Sequence, residues 1–139
     1  MAEYSHKRAI VTVNGRTITG WDNSGDSFAV APVGDAGAFT SAFGNSVWVD
    51  SGEYGETVTL KLLQHHEDNT FLQDIFNDQR NNLSGDNTIN LRYYDPINLE
   101  ELNAVKGRIP NQGTFARGNA HNTNTWVIAF PKVDRKLPK

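Results

Sequence analysis

The first clear pattern of apolar and polar positions along the chain is a pair of short runs broken by a polar turn. Ala9-Ile10-Val11-Thr12-Val13 and Arg16-Thr17-Ile18-Thr19 are β-branched runs separated by Asn14-Gly15. That dipeptide suits a type I′ turn, in which both central residues take φ > 0, so the segment predicts a β-hairpin. Residues 20 to 46 are rich in Gly, Ser, Asp and Ala, with one short strand expected at Phe28-Ala29-Val30-Ala31-Pro32-Val33. No period stands out from Gly34 to Ser46, which reads as a long loop at about residues 34–46. Long structureless loops are uncommon in compact domains and tend to be functional or mobile. This one carries Phe39 and Phe43, aromatics that either pack back on their own domain or meet a partner.

Val47-Trp48-Val49-Asp50 predicts a strand, Ser51-Gly52-Glu53-Tyr54-Gly55 a turn, and Glu56 to Leu63 a long strand. In the last of these Val58, Leu60 and Leu62 alternate with Thr57, Thr59 and Lys61, so one wall faces a core and the other water. Then the period changes. Phe71, Leu72, Ile75 and Phe76 form one apolar stripe of a helix, expected over about residues 70–81. Thr70-Phe71-Leu72-Gln73 fits a capping box, with Asp68 and Asn69 as rival caps. Strands resume at Thr88 to Tyr94, at about Leu102 to Ile109 and at Thr125 to Phe130. A polar loop, Thr114 to Asn124, precedes the last strand, and a basic tail at about residues 132–139 follows it. The pattern is mainly β, a sandwich or barrel of about seven strands with one short flanking helix.

Composition narrows the function classes. At 139 residues the chain has one domain's length, and 37% hydrophobic residues excludes wholesale disorder. No apolar run approaches the ~18 residues of a membrane span, and Met1 to His6 lacks the apolar core of a signal peptide. With no Cys, disulfides and thiolate metal sites are closed. The net charge of −3 hides a segregation: residues 1–19 sum to +2, residues 20–100 carry thirteen acids against three bases (−10), and residues 101–139 sum to +5.

Catalytic signatures are missing. His65-His66-Glu67-Asp68 is the best candidate, but adjacent residues on a strand end point to opposite faces and do not readily share a metal. Neither a phosphate-binding Gly-rich motif nor a nucleophile elbow occurs. Asp22, Asp26, Asp50, Glu53, Glu56 and Asp95 include no specified acid/base pair, and loop acids are ordinarily solvated. No cofactor is implied. An acidic middle repels phosphates, which disfavours nucleic-acid holding and suits a protein that lets DNA pass.

The order of elements resembles the tail tube proteins of contractile-tailed bacteriophages. The resemblance is carried by the hairpin around Asn14-Gly15, the long loop through Asp35 to Ser46, and the turn Asp50-Ser51-Gly52-Glu53-Tyr54-Gly55-Glu56 leading into Thr57-Val58-Thr59-Leu60-Lys61-Leu62. It continues through His66-Glu67-Asp68-Asn69-Thr70-Phe71-Leu72, Leu91-Arg92-Tyr93-Tyr94-Asp95 and the closing strand from Trp126 to Phe130. It implies two roughly orthogonal antiparallel sheets with a flanking helix, in a structural, non-enzymatic virion protein assembled in the host cytoplasm. It further implies six copies per ring, rings stacked head-to-tail, and a generally acidic lumen that conducts the genome. The implied partners are other copies of the chain, the tail sheath, tape measure and baseplate or terminator proteins. DNA would pass without specific binding, and no membrane is involved. Lys61 and Arg92 depart from an acidic lining, because they lie on the strands that the resemblance would set at the lumen. Asp35, Phe39, Phe43 and Trp48 are the expected contact residues between subunits or rings.

Two other readings are open at the level of sequence. One is a stand-alone β-sandwich that recognises glycans through Trp21, Trp48 or Trp126; the other is a small metal-dependent hydrolase using His65, His66 and His121.

Overall fold

The computed structural model describes residues 9–22, 26–42, 44–52, 54–83, 87–112, 115–120 and 122–137. Phe43, Glu53 and His121 lie outside that set. The elements run β1 (Ile10–Val13), β2 (Arg16–Thr17), β3 (Phe28–Pro32), β4 (Gly37–Ala42), β5 (Asn45–Asp50), β6 (Glu56–Leu63), α1 (Asp68–Asn81), β7 (Ile89–Asp95), β8 (Glu100–Gly107), β9 (Thr123–Phe130) and β10 (Val133–Lys136). The expected hairpin forms around Asn14 and Gly15, whose φ of 49° and 86° are the positive pair that a type I′ turn requires.

All pairing is antiparallel, and the sheets do not close into a barrel. A five-stranded sheet has the order β10-β8-β7-β1-β2, a three-stranded sheet the order β3-β6-β9, and β4 with β5 makes a separate two-stranded ribbon. β6 buries alternate residues as its sequence pattern predicts, and β1, β7 and β9 also bury alternate positions. Val11 and Val13 of β1, Val58, Leu60 and Leu62 of β6, Leu91 and Tyr93 of β7, and Trp126, Ile128 and Phe130 of β9 are buried together in one core. One β8 residue is extra where Ile89 pairs with Gly107 but Leu91 with Ala104, and Lys106 takes a φ of 60° in that bulge. Two reciprocal backbone bonds between Arg108 and Ala129, 3.0 and 2.8 Å, join the end of the larger sheet's β8 to the smaller sheet.

Gly107 shows how tightly this junction is packed. A Cβ there would lie 2.4 Å from a ring carbon of Phe130, itself 2% exposed. Overpacking a closed core costs about 1–3 kcal/mol. Gly107→Ala should therefore lower stability to denaturant by that amount, and Phe130→Leu in the same background should recover part of it. A neutral Gly107→Ala refutes the tight junction.

The helix begins two residues earlier than expected, and the capping box does not form. Glu67 is the N-cap, without a side-chain cap bond, and its carbonyl accepts the N–H groups of Thr70 and Phe71. The residues read as rival caps serve tertiary links instead. Asp68 reaches back to the hairpin, while Asn69 donates to the carbonyls of Leu63 (2.7 Å) and His66 (3.1 Å) and accepts the indole N–H of Trp126 at 2.9 Å. Gln73, the expected partner of Thr70, bonds Asn77 and Gln112. The apolar stripe behaves as read: Leu72 is fully buried, and Phe71, Ile75 and Phe76 pack against the core. At the other end Gln79 donates to the carbonyl of Asn87 and accepts the N–H of Ile109 at 3.0 Å, fastening the last turn of α1 just beyond β8.

Two further corrections concern segments read as irregular. The basic tail forms strand β10 over Val133–Lys136, which pairs with β8, burying Val133 and exposing Asp134, Arg135 and Lys136. The loop at residues 34–46 is largely ordered as β4 and its turn into β5.

Candidate assembly surface

The ribbon is built from cross-strand pairs in a simple register: Gly37 faces Asp50, Ala38 faces Val49, Phe39 faces Trp48, and Ser41 faces Ser46. Gly44 turns the chain with a φ of 81°, a conformation that L side chains rarely take. Phe39 and Trp48 pack edge-to-face, with ring centroids 5.0 Å apart at 66°, a favoured aromatic geometry. The hydroxyls of Ser41 and Ser46 are 3.0 Å apart. The ribbon's other face carries Ala38, Val47 and Val49.

Neither face is covered. Phe39 is 73% exposed, Trp48 51%, Val47 60% and Val49 54%. That explains the missing sequence period: alternation is visible when one face is buried, and here both faces are apolar and open. A two-stranded hairpin alone is marginal in water, so this one is stiffened at its foot. Ser51 donates to the Asp35 carbonyl (2.5 Å) and its N–H to the Ala36 carbonyl (2.8 Å), while the Tyr54 hydroxyl donates to the Asp50 carboxylate at 2.6 Å. That hydroxyl, with the Gly52 N–H, holds the Asp50 carboxyl below the usual carboxylate range, and the same bond pushes the Tyr54 phenol up.

Of the four expected contact residues, the structure brings Phe39 and Trp48 together and sets Asp35 at the foot of the ribbon, exposed. Phe43 lies outside the described residues. Val47, Val49 and the Asp50–Tyr54 latch were not singled out from the sequence. The signal that marks them is the absence of any charged residue from position 36 to 49, between Asp35 and Asp50.

Part of the charge segregated along the chain is paired within the fold. Asp68 and Asp95 are buried. Asp26 pairs with Lys61 at 2.9 Å, Glu67 with Arg16 at 3.4 Å, Glu101 with Arg92 at 3.3 Å, and Glu56 with Arg135. Arg16 and Arg135, from the two basic ends, are thus engaged by acids of their own chain's middle.

Of the three tryptophans, Trp48 alone is largely exposed. Trp126 is 4% exposed and Trp21 is half-buried, its indole N–H donating to the Ile18 carbonyl at 3.1 Å. His66 Nδ1 lies 3.2 Å from the Asp68 carboxylate, and among the described residues, which leave out His121, no three His, Asp or Glu side chains converge as metal ligands would.

No model of a known protein family matches the chain, and no curated protein sequence does. Solved structures do match. The cap that terminates the tube of the anti-feeding prophage aligns with a TM-score of 0.63 at 10% identity, over 99% of this chain and 93% of that one. The sheath/tube terminator of an extracellular contractile injection system, PVC, in its extended state aligns with a TM-score of 0.62 at 15% identity, over 98% of both chains. At such identities the likeness is one of fold. The chain has the fold of tube terminator and cap proteins of contractile injection systems.

Proposed function

We propose that the chain is a structural, non-enzymatic subunit of a contractile tail or related injection apparatus, forming a ring with copies of itself at the end of the tube. The observation that carries this is the ribbon of β4 and β5: an arm without charge between Asp35 and Asp50, carrying exposed apolar side chains on both faces and latched at its foot, is built to be covered by another molecule. The fold-level likeness to tube terminators and caps supports the position at the tube end. Six copies per ring is the number implied by the tail tube resemblance. Phe39 and Trp48 serve as the apolar anchors of the contact. The tube subunits below and the sheath around are the expected partners, with DNA as passing cargo if the apparatus is a phage's. Among the described residues no helix is long and apolar enough to cross a membrane.

A second reading, the tail tube subunit itself with stacked rings, is favoured by the order of elements from the first hairpin to the closing strand. The two differ in one physical respect. A tube subunit presents surfaces on its two ring faces that complement each other, so that stacking continues, whereas a terminator stops it. Electron microscopy of the purified protein over a wide concentration range separates them. Single rings that do not lengthen support the terminator, and extended tubes support the tube subunit. Monomers at every concentration overturn both.

A further inference from the structure

A groove of about 700 Å³ opens at the foot of the ribbon, lined in part by Pro32, Asp35, Ala36, Tyr54, Pro131 and Val133. Most of its charged groups are already compensated. Glu56 is paired with Arg135, and Lys132 lies 3.8 Å from Asp134. The Tyr54 hydroxyl is engaged by Asp50. Asp35 is exposed, and among the described residues its carboxylate has no ion-pair partner, leaving one free negative charge on an otherwise mostly apolar wall.

A matching group projects from a different part of the chain. Phe115, between β8 and β9, is 81% exposed, and the Arg117 guanidinium sits 4.0 Å from the centre of its ring. Arg117 donates to the neighbouring Ala116 carbonyl at 2.8 Å and meets no carboxylate among the described residues. An arginine held over an aromatic ring combines apolar area with directed donors, the composition of interface hot spots.

We propose that the Phe115–Arg117 pair of one copy seats in the groove at the foot of the ribbon of a second copy. The phenyl ring packs on Pro32, Tyr54 and Pro131, and the guanidinium takes the Asp35 carboxylate. Charge complementarity selects this occupant, because the ribbon's aromatic pair has no cation to offer Asp35. Knob and groove are different surfaces of one chain, so the contact is heterologous and repeats around a ring. This rests on the self-assembling reading above and names the residues that close the ring.

The chain has no Cys, so thiol cross-linking in Asp35→Cys/Arg117→Cys involves only the introduced positions. With a reducible thiol-to-thiol cross-linker long enough to span an arginine–carboxylate pair, which is too wide for a direct disulfide, the double variant should give a ladder of covalent oligomers that reductant collapses, while each single-Cys variant stays monomeric on the gel. Charge reversal supplies a second measurement. Asp35→Arg and Arg117→Asp alone should each weaken assembly about tenfold or more, and the two together should restore it to within about threefold of the wild type. Rings in the micrographs with only covalent monomer on the gel, or with no restoration by the double reversal, overturn this contact and leave the ring-forming reading standing. Neither rings nor ladder overturns both.

Discussion

Replacing Asp68 with Ala should destabilise the fold by about 3–5 kcal/mol, the range for removing one partner of a buried, hydrogen-bonded charge. Asp68 is fully buried at the start of α1, yet its carboxylate is turned away from the helix. It accepts Arg16 Nε at 2.8 Å and the N–H groups of Thr19 at 2.9 Å and Gly20 at 3.0 Å. One side chain thus fastens the helix to the segment leaving the first hairpin. Gly20 cannot yield there, since a Cβ would fall 2.3 Å from the His66 ring. Burial pushes the carboxyl up, but the Thr19 and Gly20 N–H groups, Arg16 and the charge of His66 together bring it below 3.8. Because the folded value is lowered, the stabilisation is complete above the ordinary carboxylate value and is lost as pH falls through the folded one. Denaturant titrations should therefore show the gap between wild type and Asp68→Asn at full size near neutral pH and narrowing below pH 3.8. Loss of less than about 1 kcal/mol in Asp68→Ala means that the carboxylate is not the tie described.

The second large effect belongs to assembly rather than folding. Phe39→Ser with Trp48→Ser removes the exposed aromatic pair of the ribbon and should leave thermal stability nearly unchanged, since surface substitutions away from the core usually fall within about ±0.5 kcal/mol. If the two rings are the anchors of a subunit contact, truncating each costs at least about 2 kcal/mol of association, roughly 30-fold in affinity per residue. Analytical ultracentrifugation or native mass spectrometry should then show rings dissociating at concentrations where the wild type holds. Ser41→Ala, on the same face without apolar area, is the control. Rings of unchanged stability in the double variant place the anchors elsewhere.

Much of the architecture was legible in the sequence because strands such as β6 and β7 set one wall against the core. The alternation of Val58, Leu60 and Leu62 announced β6, and Asn14-Gly15 announced the hairpin. The stripe from Phe71 to Phe76 announced the helix. Where a residue's partner is distant, local rules fail. Asp68 and Asn69 have the chemistry of caps, but Thr19, Gly20 and Trp126, about 50 residues away, compete for them and win. The ribbon gave no period because its described side chains are exposed on both faces. The basic tail gave none because β10 buries Val133 alone of its residues. Of the candidate site, the aromatics and Asp35 were legible as residue types out of place in a solvated loop. The groove was not, since Pro32, Tyr54 and Pro131 meet only after folding. The charge split survives as arithmetic, and the pairs of Arg16 and Arg135 with acids of the middle turn part of it into internal cohesion.

The uncharged ribbon also sets a problem of timing. Residues 36–49 contain no charge and no proline, and include Val47-Trp48-Val49, the composition of segments that stack into intermolecular β-structure when left open. Asp35 and Asp50 flank the stretch as gatekeepers, yet the open edges of β4 and β5 stay competent to template pairing with any other chain until they are covered. A copy whose ribbon stays uncovered is therefore a precipitation hazard. Solubility becomes a matter of whether the ribbon is covered, by a partner or by another copy.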